Sequence, residues 1–164
     1  MPRRRPSVIS DGIATVRAIY ADVDARPVER ACLRRTECCQ FHVTGRTPHL
    51  TKGEALTAAR ALRATGRTRL PERDDGACPL LDDGGRCLIY ADRPFGCRTH
   101  FCAAAGGPHE RRTVSDLIQR LEDLDVQLGG EGSRPLVPAL RAALCSERLS
   151  PPRRSRASSR RRES

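Results

Sequence analysis

The chain has no tryptophan, one methionine, two tyrosines and three phenylalanines in 164 residues. The aromatic area that usually dominates core energetics is therefore scarce. It also lacks any run of about 18 apolar residues, the length a membrane-spanning helix requires. Its first ten residues, MPRRRPSVIS, carry charge with no hydrophobic stretch behind it, so no secretory signal is expected. These absences point to a soluble, intracellular protein of the cytoplasm with no membrane partner. With 38% hydrophobic residues, the chain has the size of one domain and the means for only a modest core. Something besides apolar burial is expected to brace it.

Lysine is nearly missing as well: Lys52 stands alone among 30 basic residues. The formal net charge is +10, but its placement argues against a nucleic-acid interface. Three arginines lie in residues 1–6, and six lie against Glu163 in residues 150–164, which leaves little excess in between. The ends read as solvated tails, and tail-mediated contact with nucleic acid is the lesser reading. The organisation expected is a disordered basic segment over 1–9, a folded domain over 10–149 and a disordered Arg/Ser-rich tail over 150–164.

Four helices are expected. Ser10-Asp11, followed by Ile13, Val16, Ile19, Tyr20 and Val23, places the first over 11–26. Thr51 and Glu54 form a capping box for a second over 52–65, with Gly66 as its stop. Val114, Leu117, Ile118, Leu121, Leu124 and Leu128 define a third, ended by Gly129-Gly130. Pro135 opens a fourth carrying Leu136, Leu140 and Leu144, expected to pack back on the third. Residues 67–112, rich in Gly, Pro, Asp and Cys, are not helical, and Phe41–Val43 and Cys87–Tyr90 are candidate strands.

Chemistry is concentrated in sulfur. Eight cysteines occur, and Cys32, Cys38, Cys39, Cys78, Cys87, Cys97 and Cys102 fall in one stretch of the chain. In a reducing compartment an even count does not imply disulfides, so metal ligation becomes the leading use. The cysteines form two groups, CLRRTECC and CPLLDDGGRCLIYADRPFGCRTHFC, with glycines and prolines that let the backbone turn sharply enough to aim them. Paired C-x-x-C knuckles of the zinc-finger kind are absent. Zinc and an iron-sulfur cluster both remain open, since four thiolates hold either.

As an ordered set these pieces carry a resemblance. An upstream cysteine, a vicinal pair, LTKGEAL, then C-P-x-L, G-R-C-x-I-Y, R-P-x-x-C-R and a further cysteine are similar to the YkgJ-type cysteine-cluster family, over about Cys32 to Cys102. Arg35 stands where that family's C-x-x-C-x-x-C-C string has its second cysteine. The resemblance implies chelation of zinc or iron. Flagellin lysine N-methylases, which have a related motif, add an iron-sulfur centre to what it implies.

The fold class expected is α+β: a small, mainly helical single domain whose cysteine-rich loop module is closed by a metal centre. Cys32, Cys38, Cys39, Cys78, Cys87, Cys97 and Cys102 are the candidate ligands. Cys145, beside Leu144, reads as a small buried hydrophobe. His100 reads as exposed or backbone-bonded, with ligation the lesser option, and His42, His49 and His109 as surface or loop residues. Arg98 is expected to offset thiolate charge or to pair with Asp82, Asp83 or Asp92. Tyr90, Pro94 and Phe95 are expected to wall the site. No hydrolase, nucleotide or dinucleotide signature occurs, which leaves enzymatic status open. A structural zinc adaptor presenting the Leu117/Leu121/Leu124 face to a protein partner is the alternative.

Overall fold

The computed structural model describes residues 7–27, 30, 32, 33 and 36–148. The basic tails expected at the two ends lie largely outside these residues. Along the described chain run helices α1 (Val8–Asp24), α2 (Phe41–Thr44), α3 (Lys52–Ala64), α4 (Phe95–Thr99), α5 (Ser115–Gln127) and α6 (Leu136–Arg148). Strands β1 (His49–Leu50) and β2 (Arg134–Pro135) pair antiparallel, His49 opposite Pro135 and Leu50 opposite Arg134. The protein is thus mainly helical with a minimal sheet. Among the described residues no helix is long and apolar enough to cross a membrane.

Local chemistry accounts for the helix ends. Helix α1 starts three residues before the expected point because Ser7, not Ser10, is the cap: its Oγ accepts the Ser10 amide at 3.3 Å. The capping box of α3 is present as expected, with Glu54 Oε2 accepting the Thr51 amide at 3.0 Å and Thr51 Oγ1 accepting the Glu54 amide at 3.5 Å. Helix α3 lies between α1 and α6. Where α1, α3 and α5 cross, Gly53 keeps the packing close: a Cβ there would sit 3.0 Å from Val16 and 3.2 Å from Leu124, so those side chains would have to shift.

Two apolar clusters result. Leu56, Ala59 and Leu62 of α3 pack with Leu136, Leu140 and Leu144 of α6 and with Leu80 and Ile89 of the cysteine-rich segment. Val16, Ile19, Tyr20 and Val23 of α1 pack with Leu117, Leu121 and Leu124 of α5 and with Phe95 of α4. This corrects the expected α5–α6 pairing, since α6 packs on α3. The β1–β2 ladder, extended by the Leu136 amide donating to the Pro48 carbonyl at 2.9 Å, steers α6 there. The Leu117/Leu121/Leu124 face, expected to be free for a protein partner, is instead covered by α1 within the same chain, with Leu117 1% exposed.

Both candidate strands are corrected. Phe41–Val43 lies in the single-turn helix α2, closed by the Gly45 amide donating to the Phe41 carbonyl at 2.9 Å. Cys87 makes one bridge, to Leu81, and the chain then turns into a 3₁₀ segment at Tyr90–Asp92. Residues 67–112 are otherwise irregular as expected, apart from α4 and short 3₁₀ turns.

One buried carboxylate organises the glycine-rich turn after α5. Asp125 accepts the amides of Lys52 at 2.6 Å and Gly132 at 2.9 Å, tying the start of α3 to the end of α5. A Cβ at Gly130 would collide with that carboxylate, so the second glycine of the pair is needed for space.

Candidate metal centre

The vicinal pair lies in a 3₁₀ turn, Glu37–Cys39, entered through Thr36 at φ +59°. A β-branched residue in the left-handed region is a strained choice. The turn closes with the Cys39 amide donating to the Thr36 carbonyl at 2.8 Å. The Cys39 carbonyl then accepts the Cys78 amide at 2.7 Å, which joins the two cysteine groups through the backbone.

From Cys78 the chain forms a tight hairpin. The Asp82 amide donates to the Arg86 carbonyl at 2.8 Å and the Leu88 amide to the Leu80 carbonyl at 2.8 Å, so Cys87 comes to lie opposite Leu81. Gly85, at φ +73°, makes the reversal possible. Cys97 is carried by α4, whose first amide, that of Phe95, donates to Glu54 Oε1 at 2.8 Å. Glu54 is 3% exposed and also accepts the Tyr20 hydroxyl at 3.3 Å, so one carboxylate fixes the helix bearing Cys97 against both α1 and α3.

These segments enclose a partly open cavity of about 460 Å³. Cys32, Cys38, Cys39, Cys78, Cys87, Cys97 and Cys102 all line it, together with His100 and the apolar side chains of Leu80, Leu81, Tyr90, Pro94 and Leu136. The charge of Cys38 is felt at Cys39, Cys78, Cys87 and Cys97, so five thiols from separated stretches share one electrostatic neighbourhood. All eight cysteines are free thiols. The sulfurs surround the cavity without converging at its centre. Cys38 and Cys39 Sγ are 4.0 Å apart, and among the described residues no three His, Cys, Asp or Glu side chains are gathered in ligating geometry. An ion would have to draw them inward.

Their protonation is uneven. The hydrogen bond from Cys39 stabilises the Cys38 thiolate and, with the positive charge of Arg93, lowers the Cys38 pKa to about 6. The same bond, with burial, pushes Cys39 far up. Burial raises Cys78 to about 11 and also raises Cys87 and Cys97. The cavity thus sets Cys38, inclined to ionise, beside Cys39, Cys78, Cys87 and Cys97, which give up protons only to something that compensates their charge.

Three expectations about neighbours are corrected. Arg98 does not face the thiols: it is 6% exposed, pairs with Asp24 Oδ2 at 2.6 Å, donates to the carbonyls of Arg93 and Ala91, and lies 4.3 Å from the Tyr20 ring centre. Asp92, offered as its partner, pairs with Arg17 at 2.8 Å. Phe95 is buried in the α1–α5 cluster and is not part of the wall, whereas Tyr90 and Pro94 are. Cys145 is exposed and stands apart from the cavity. Of the histidines, His42 and His49 are exposed, and His109 is half-buried with its ring 5.7 Å from that of Phe101.

Three arginines not singled out from the sequence, Arg46, Arg86 and Arg93, line the cavity, and Arg93 is the one whose guanidinium is stacked and half-buried there. It lines the cavity with its guanidinium carbon 4.1 Å from the Tyr90 ring centre, and its Nε is buried without a hydrogen-bond partner. Its signal in the sequence is its place as the first arginine of R-P-x-x-C-R.

The family model CxxCxxCC, described as "Putative zinc- or iron-chelating domain", matches residues 31–119, more than half of the chain. No curated protein and no solved structure matches the chain.

Proposed function

The chain belongs to the CxxCxxCC family, and on that premise we propose that it holds a zinc ion or an iron-sulfur cluster in the cysteine cavity through thiolate sulfur. Cys78, Cys87 and Cys97 supply three ligands and Cys38, already inclined to ionise, the fourth. Cys39, Cys32 and Cys102 line the same wall as further candidates. The observation that carries the reading is that all seven thiols border one cavity although they come from distant stretches of chain.

Two features support the fit. Thiolates are soft donors suited to zinc and iron-sulfur centres. The buried, unpartnered Nε of Arg93 is a donor in want of an anion, which a thiolate-bound centre would provide. Zinc would act here as a brace, and an iron-sulfur cluster would add electron transfer. In either case the chain's own residues shape the site: Leu80, Leu81, Pro94 and Leu136 form an apolar wall beside the sulfurs, and Glu54 holds the helix that bears Cys97. A reducing, cytoplasmic setting would keep these thiols available to a metal.

Anaerobic isolation followed by elemental analysis and an optical spectrum tests this. A brown protein with broad visible absorption is an iron-sulfur one, and a colourless, zinc-loaded protein settles for zinc. Cys87→Ser and Cys97→Ser should each lose the metal, and full metal content in both variants would overturn the reading.

A further inference from the structure

Two arginines flank Cys97 in the string Arg93-Pro94-Phe95-Gly96-Cys97-Arg98, and the fold uses them differently. Arg98 is fully engaged, held by Asp24 and by backbone carbonyls on the far side of α4. Arg93 turns to the cavity, where its guanidinium lies over Tyr90 and its Nε is shut off from solvent with nothing to donate to. Among the described residues it forms no ion pair, whereas Arg86, the arginine at the hairpin, is paired with Asp82 at 3.4 Å. An orphaned guanidinium donor in a half-buried position is costly unless an anion meets it.

We propose that Arg93 is a positioning residue of the metal centre: from its seat on Tyr90 it donates a hydrogen bond to a ligating sulfur and offsets the negative charge of the thiolate set. This rests on the metal-binding reading. A divalent ion held by four thiolates carries two net negative charges, and a cavity walled by leucine and proline solvates them poorly. One fixed cation at the wall removes part of that penalty and gives a sulfur lone pair a donor. Arginine suits the task better than lysine, because its planar, weakly hydrated group can stack on the tyrosine face and still present an N–H along the wall.

The test uses the full chain and zinc alone, with affinity measured by competition against a colorimetric chelator for wild type, Arg93→Met and Arg93→Lys. Removing an outer partner of a metal ligand typically weakens metal affinity by about 10–100-fold, and Arg93→Met should fall in that range. Arg93→Lys, keeping the charge, should recover part of the loss. Circular dichroism and melting of the metal-free proteins report whether each variant folds, and Arg93→Gln replaces Arg93→Met if the latter does not. Wild-type affinity in the neutral variant, or a lysine variant as weak as the neutral one, overturns the proposal. A wild-type chain that takes up no zinc or iron defeats the metal reading itself, while normal wild-type loading with an unaffected Arg93→Met defeats the role of Arg93 alone.

Discussion

The amide of Cys78 donates to the carbonyl of Cys39 at 2.7 Å, so the two cysteine groups are joined through the backbone before any sulfur is shared. Irregular chain elsewhere in residues 67–112 has few ladders to hold it, and a metal would supply the missing restraint. Stripping the metal with a chelator should speed amide exchange across residues 67–112 while α1, α3, α5 and α6 stay protected. Hydrogen-exchange mass spectrometry reads both regions at once, and equal protection in loaded and stripped protein would show that no metal restrains the loop.

In the metal-free protein Cys38 should be the reactive thiol. With its pKa near 6, it is mostly thiolate at pH 7, whereas Cys78, raised to about 11, is almost wholly protonated there. Alkylation with iodoacetamide, followed by peptide fragmentation to separate Cys38 from Cys39, should label Cys38 first. Its rate should reach half its plateau at about pH 6. Preferential labelling of Cys78 or Cys97 would contradict this order.

Glu54 links the core to the site, and its removal should be felt as stability. It accepts four hydrogen bonds, from the Thr51 amide and hydroxyl, the Tyr20 hydroxyl and the Phe95 amide. Glu54→Ala leaves these donors buried without an acceptor and should cost about 1–3 kcal/mol. Burial raises the Glu54 pKa above its ordinary value despite those bonds. Its contribution is therefore complete below the usual carboxylate range and declines as pH rises through the folded-state value. The melting-temperature deficit of Glu54→Ala should be larger near pH 4 than near pH 8, and the reverse trend would mean that the hydrogen bonds outweigh burial.

Leu117 and Cys145 make a matched contrast. Leu117→Ala removes a side chain buried between α1 and α5 and should cost about 2–5 kcal/mol in urea unfolding. Cys145→Ser, on an exposed position, should change stability by less than about 0.5 kcal/mol. A neutral Leu117→Ala would reopen that face as a docking surface.

What the sequence made legible were features carried by neighbours a few residues apart. The Thr51/Glu54 box and the leucine stripe of α5 are of this kind, and both are where they were expected. The clustering of seven cysteines at one place was also legible, because their order along the chain carried it. Features decided by distant partners were not. Strands β1 and β2 are two residues each, too short to show alternation, and they meet across most of the chain. Phe41–Val43 has strand-like composition but no partner strand, so local i+4 hydrogen bonds decide its form. Cys145 sits beside Leu144, yet one step around a helix separates a buried face from solvent. The contrast between Arg93 and Arg98 depends on which side of a five-residue helix each one reaches.

That short helix has a mechanical meaning. Phe95 packs with residues of α1 and α5, Arg98 pairs with Asp24 of α1, and Cys97, between them in the chain, lines the cavity. Through the Phe95 amide and the Tyr20 hydroxyl that Glu54 accepts, a load placed on the Cys97 sulfur would be passed to α1 and α3, and a looser fit of those helices would leave that sulfur less well placed.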